Sequence, residues 1–153
     1  MSLERVSAFL KKYDENLEPI VLQEEAHTSE AAARLLGVET AQIAKSILFK
    51  CNDEFGLFVA AGDVRVDQKK VKQQLGAGKV KMASAEEVLE KTGFEPGAVC
   101  PYALATKLPI YLDESLSRFD TVYTAAGIPE SVLAINLTKL AELTGGRIIN
   151  LQK

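Results

Sequence analysis

The chain has 153 residues, 47% of them hydrophobic and 25% charged, and a formal net charge of -3. That is the balance of one ordinary soluble domain, large enough to bury a core without a disulfide or a structural metal. No global basic field marks it as a non-specific DNA or RNA binder, although a local basic patch escapes such a count.

Cys51 and Cys100 are too few for a disulfide framework and lack metal-type spacing. With His27 as the only histidine, no zinc set forms without carboxylate help. No metal and no cofactor are therefore expected. No apolar run is long enough to span a bilayer, and the first residues read as a charged amphipathic helix, not a signal peptide. The expected compartment is the cytoplasm, with neither a membrane nor DNA as partner.

In chain order, Leu3, Val6, Leu10 and Tyr13 recur at helical spacing. Ile20-Val21-Leu22, after Pro19, reads as a short strand. Thr28 and Ser29 cap a second helix that stops at Gly37. Ile43 to Cys51 and Leu57 to Ala61 are β-rich runs joined by Asn52-Asp53-Glu54, which predicts a hairpin. Leu57-Phe58-Val59-Ala60-Ala61 has no polar face and is expected to be covered on both sides. Asp67 caps a short lysine-rich helix ending at Gly76, and Ser84 with Glu87 forms a capping box for another ending at Gly93. Phe94 to Leu104 has no period. Leu108 to Leu112, Thr121 to Ala126 and Val132 to Ile135 read as strands. Leu137, Leu140 and Leu143 share one face of a last helix, and Ile148-Ile149 closes the sheet. Helices and strands mix without strict alternation, so residues 1–153 are expected to form a single α+β domain, a mixed sheet flanked by helices.

Lys45 is the most informative residue. On a strand it shares a face with Ile47 and Phe49, while Lys50 lies opposite. A charged amine on an apolar face is costly unless it has a partner or borders a cleft. Three readings stay open: Lys45 snorkels to water, serves as a compact cation for a phosphate or carboxylate, or acts as an amine after a downward pKa shift. Gly97-Ala98-Val99-Cys100-Pro101 is a second candidate, a loop able to present backbone N–H groups to a carbonyl; a plain connection is the simpler reading. Cys100 as a nucleophile would need His27 as base, and nothing in the sequence brings the two together, so a buried structural cysteine is expected. Lys69, Lys70, Lys72, Lys79 and Lys81 read as a solvated face or as a footprint for a phosphate backbone. Walker loops, Rossmann glycines, Gly-x-Ser-x-Gly elbows and His-Glu-x-x-His pairs are all missing.

Read in order, several segments form one pattern: Thr28-Ser29-Glu30-Ala31-Ala32, Leu36-Gly37-Val38, Gln42-Ile43-Ala44-Lys45-Ser46, Gly62-Asp63-Val64-Arg65-Val66-Asp67 with Lys70, Thr92 to Pro101, Leu108 to Asp113, and Val122 to Gly127. This pattern resembles the YbaK / prolyl-tRNA-synthetase-associated domain family over nearly the whole chain. The resemblance implies a trans-acting aminoacyl-tRNA deacylase, a carboxylic ester hydrolase acting at the acceptor end of mischarged tRNA. An aminoacyl-tRNA synthetase is a further candidate partner. It implies that Lys45 is the functional lysine holding the tRNA 3′ end. Gly97 and Pro101 would belong to a Gly-x-x-x-Pro loop orienting the ester, and Gly127 would lie beside the pocket. The implied substrate-binding set is Thr28, Ser46, Gly97, Ala98, Val99, Cys100, Pro101, Gly127 and Ile128. The implied mechanism uses no protein nucleophile; a positioned water attacks, helped by the substrate's ribose hydroxyl. Ile128 stands where some members carry histidine, and Ser46 where some alanine-specific members carry asparagine, which leaves the amino acid open. The alternative is a non-catalytic nucleotide- or aminoacyl-binding module.

Overall fold

Residues 2–153 are described by a computed structural model. Helix α1 (Ser2–Tyr13) buries Val6 and Leu10, one turn apart, and leaves Lys11 and Lys12 exposed. Strand β1 (Ile20–Val21) precedes α2 (Ser29–Leu36), whose first turn is held by Thr28: its Oγ1 accepts the Ala31 N–H at 3.1 Å. Strands β2 (Ile43–Cys51) and β3 (Glu54–Ala61) form the hairpin, turning at Asn52 and Asp53. Asp67 caps α3 (Gln68–Leu75), and β4 (Val80–Met82) follows. The Ser84/Glu87 capping box starts α4 (Ala85–Thr92). Residues 93–109 form no helix or strand. Then come β5 (Ile110–Asp113), β6 (Val122–Ala125), β7 (Ser131–Ile135), α5 (Leu137–Thr144) and β8 (Arg147–Ile149).

The eight strands make one mixed sheet in the order β1-β7-β6-β2-β3-β5-β8, with β4 added to β2. The β2–β6, β3–β5 and β5–β8 pairs are parallel; the others are antiparallel. The fold is α+β. β3 is its centre: Leu57 to Ala61 are fully buried, as a strand without a polar face requires. The main core joins α1 and α5 to Phe94, Cys100 and Tyr102 of the irregular segment. A second cluster sets Val71 of α3 on Phe49, Phe58 and Tyr111, and a third sets Ala32 and Ala33 of α2 on Ile43.

Three features depart from the sequence expectation. Val80–Met82 is a strand, not part of a solvated lysine run; three residues are too few to show a period, and it exists because β2 has an open edge there. The strand expected from Leu108 begins at Ile110, after Pro109, which has no N–H for a ladder. Two 3₁₀ turns, Thr40–Gln42 and Glu114–Arg118, went unread; the second is capped by Asp113, whose Oδ2 accepts the Ser115 N–H.

Lys50 lies on the α4 side of β2 and donates to Glu87 Oε2 at 2.5 Å. Together with the Ser84 N–H, it pulls the Glu87 carboxyl from 4.5 down to about 2. A carboxyl depressed on folding stabilises the fold above its unfolded pKa, and that stabilisation fades as pH falls through the folded value. Glu87→Gln keeps a capping-box acceptor but loses the charge. It is expected to melt below the parent at pH 7, with the gap narrowing from pH 4.5 toward pH 2. A gap independent of pH in thermal melts refutes this.

Candidate functional site

The site begins with an interruption in the sheet. One edge of β2 is shared by two strands: β6 pairs along Ile43 and Ala44, and β4 along Phe49 to Cys51. Main-chain direction alternates along a strand. The Gly62 N–H donates to the Ile43 C=O on the β3 side, and the Ala83 N–H donates to the Leu48 C=O on the β4 side. Ser46 therefore turns its N–H and C=O to the shared edge, at the point where neither strand reaches it. Its hydroxyl oxygen is also buried without a partner among the described residues. Buried polar groups are normally satisfied, so an orphan facing a cleft marks a place for a ligand group.

Lys45 stands next to this gap on the other face. Its cross-strand neighbour is Ala60, and Ile47 and Phe58 come next along the face. α2 covers that face over Ile43, and α3 covers it over Ile47 and Phe49. Lys45 rises between the two helices. Its Nζ donates to the Val64 C=O at 2.5 Å, its one hydrogen bond among the described residues, and so keeps two N–H donors for a ligand. Burial pulls its pKa below the ordinary lysine value, and the charges of Glu30 and Asp63 partly offset that. Asp63 does not neutralise Lys45, because Arg118 grips it with two bonds, Nη1 to Oδ2 at 3.1 Å and Nη2 to Oδ1 at 2.7 Å.

The third wall is the segment after α4. Gly97 takes φ 91°, and a Cβ there would sit 3.1 Å from His27 Nδ1. The Ala98 N–H donates to the Glu95 C=O, while no acceptor among the described residues takes the N–H of Gly97 or Val99. Together these walls enclose a cleft of about 150 Å³, lined by Thr28, Lys45, Ser46, Gly97, Val99 and Ile128 among others.

Of the expected site residues, those six meet at the cleft, and four do not line it. Ala98 and Cys100 are buried behind the loop, 2% and 0% exposed. Pro101 turns to a separate hollow beside Phe9 and Leu104. Gly127, at φ 106°, brings the chain against α1: a Cβ there would lie 2.9 Å from the Ser2 carbonyl oxygen. Burial pushes the Cys100 thiol up to about 12, so it stays protonated. The cleft also gathers His27, Ser29, Tyr123, Thr124 and Ser131, which the sequence did not single out for it. His27 Nε2 lies 3.0 Å from Glu25 Oε1. Its place just before a helix start suits an ordinary hydrogen-bonded loop histidine and gave no signal for the cleft. Among the described residues no three His, Cys, Asp or Glu side chains gather as a metal-binding group.

Comparison with known proteins identifies the family. The family model for the Aminoacyl-tRNA editing domain matches residues 23–143, and the chain belongs to that family. It is 38% identical to "Uncharacterized protein YwhH" of Bacillus subtilis over 97% of this chain and 94% of that one. It is 28% identical to the "Putative Cys-tRNA(Pro)/Cys-tRNA(Cys) deacylase EbsC" of Enterococcus faecalis, over 76% and 77%. A proline–tRNA ligase of Bacillus velezensis is 42% identical over 57% of this chain but only 15% of the ligase. A solved structure described as a "putative trans-editing enzyme for prolyl tRNA synthetase" superposes with a TM-score of 0.91 at 34% identity, covering 99% and 97%.

Gly97→Ala tests the loop. A side chain at φ 91° costs on the order of 1–3 kcal/mol, and its Cβ would press on His27. The variant is expected to unfold earlier in denaturant and to bind cleft ligands more weakly. Parent-like unfolding and binding would remove the loop from the site.

Proposed function

We propose that this chain is a trans-acting deacylase that hydrolyses the ester of mischarged aminoacyl-tRNA. The observation that carries the reading is Lys45, a half-buried cation with two spare donors, beside a cleft where the Ser46 hydroxyl and the Gly97 and Val99 N–H groups have no partner among the described residues. The cation meets the phosphate or ester end of the tRNA 3′ terminus, with less screening than on open surface. The unengaged N–H groups of Gly97 and Val99 face the ester carbonyl and stabilise the oxyanion. Ser46 supplies a hydroxyl and an open strand edge for the aminoacyl amine and carbonyl. The family membership and the deacylase naming of the Enterococcus relative support the same activity.

Catalysis in this reading is orientation and electrostatic stabilisation. A water attacks the ester carbon, the substrate's ribose hydroxyl assists, and the ester bond to the ribose breaks to release the amino acid. Cys100 is too buried and too firmly protonated to attack. His27 lines the cleft beside Glu25 and is the imidazole placed to compete with the ribose hydroxyl as base.

Single-turnover deacylation over a panel of mischarged tRNAs tests the activity. Lys45→Ala is expected to lose about 2–5 kcal/mol of transition-state binding, while its melting temperature holds, because a desolvated charge is removed. Lys45→Arg is expected to be impaired as well, since a planar fork does not replace a compact ammonium. Parent rates for Lys45→Ala remove the assignment. Tight binding of aminoacyl-tRNA with no turnover on any member of the panel turns the reading to a binding module.

The source of base assistance is separable. A tRNA ending in 2′-deoxyadenosine is expected to bind yet turn over poorly, whereas Cys100→Ala keeps most activity and His27→Ala loses only a few-fold. Full turnover of the deoxy substrate, with a large loss at His27→Ala, would move the base to His27.

A further inference from the structure

The charges around the cleft are unequally distributed. From Val64 to Lys79 the chain carries five basic residues, Arg65, Lys69, Lys70, Lys72 and Lys79, against one acid, Asp67, although its net charge is -3. The α2 side is the reverse: residues 23–39 hold Glu24, Glu25, Glu30 and Glu39 against Arg34. Elsewhere, basic side chains are paired or scattered singly: Lys12, Arg34, Lys107, Arg147 and Lys153 stand apart from one another along the chain. Lys11, Lys50, Lys91, Arg118 and Lys139 each pair with a carboxylate, and Arg5 donates to the Thr92 C=O over the Phe94 ring. Among the described residues, Arg65, Lys69, Lys70 and Lys72 have no acidic partner. Asp67 is turned to the helix cap, accepting the Lys69 N–H at 3.1 Å.

The placement of these residues ties them to the cleft. Arg65 follows Val64, whose carbonyl holds Lys45, and α3 then runs along the face of β2 that Lys45 shares with Ile47 and Phe49. Val71 is the buried anchor of α3; Lys69 and Lys72, one turn apart, are exposed on it. The helix extends about 12 Å from the Lys45 side at 1.5 Å per residue. A polyanion whose end occupies the cleft meets repulsion over α2 and unpaired cations over α3.

We propose that Arg65 and the exposed lysines of α3 form the docking surface for the phosphate backbone of the tRNA acceptor stem, so that the stem leaves the cleft over α3 and not over α2. This rests on the reading of the cleft as the site for the tRNA 3′ end, and it adds where the duplex lies.

The test is equilibrium binding of uncharged tRNA, a matching acceptor-stem minihelix and its single-stranded 3′ end, each across a range of potassium chloride. Lys69→Gln/Lys72→Gln is compared with Lys11→Gln/Lys12→Gln, an equal charge change on α1. The parent is expected to bind the minihelix more tightly than the single strand. The α3 double variant is expected to lose that gain, and its slope of log affinity against log salt should fall by about two. The α1 variant should match the parent, and melting temperatures should agree for all three. Parent-like slopes for the α3 variant, equal losses for both doubles, or no binding of tRNA by the parent overturns the proposal. Because no step requires hydrolysis, α3-dependent binding by a chain that deacylates nothing would uphold this surface and sink the deacylase reading.

Discussion

Strand β2 cannot pair along its whole length on one edge, because β6 runs parallel to its first residues and β4 antiparallel to its last. The two strands arrive from different connections and leave Ser46 uncovered between them. In a sheet interior such a gap exposes main-chain donors and acceptors to no partner, which is unfavourable unless something polar enters. The cleft is that gap, walled by the start of α2 on one face and by the Gly97 loop behind it. An uninterrupted ladder here would have closed the site.

Lys45 adds a second unfavourable group to the same few residues. Its desolvation is only partly offset by Glu30 and Asp63, and the Arg118 clamp on Asp63 keeps that carboxylate from capturing it outright. The result is a cation held in position by a single carbonyl and still available. Sites of this type store instability that the rest of the fold must offset. The offsets are visible elsewhere: a fully buried β3, four side-chain-capped helix starts, and the Lys50–Glu87 pair tying α4 to the far end of β2.

The relatives place this architecture in two settings. One match spans nearly the whole of a chain of similar length, and others correspond to a small part of much longer proline–tRNA ligases. Similar sequence therefore occurs both in a chain of comparable length and as a small part of larger proteins. In a chain with net charge -3, the densest run of unpaired cations among the described residues lies from Arg65 through α3.

Local signals determined most of the elements. The Thr28, Asp67 and Ser84 caps, the 3.6-residue spacing of Val6 and Leu10, and the unbroken apolar run of β3 each act within a few residues, so they read directly from the chain. The same is true of Lys45, because strand alternation alone sets it on the Ile47 face. What required the folded molecule is everything that depends on distant segments meeting. β4 is a strand only because β2 has a free edge. His27 belongs to the cleft because Gly97, seventy residues later, comes up against it. Cys100 and Pro101 lie in the loop expected to form the site, yet their side chains turn away from it. Ser46 entered the expected site only through the family resemblance, and its open main chain follows from where two other strands stop. Spacing along a chain specifies which face a side chain takes, but only tertiary packing decides which faces are left without a partner.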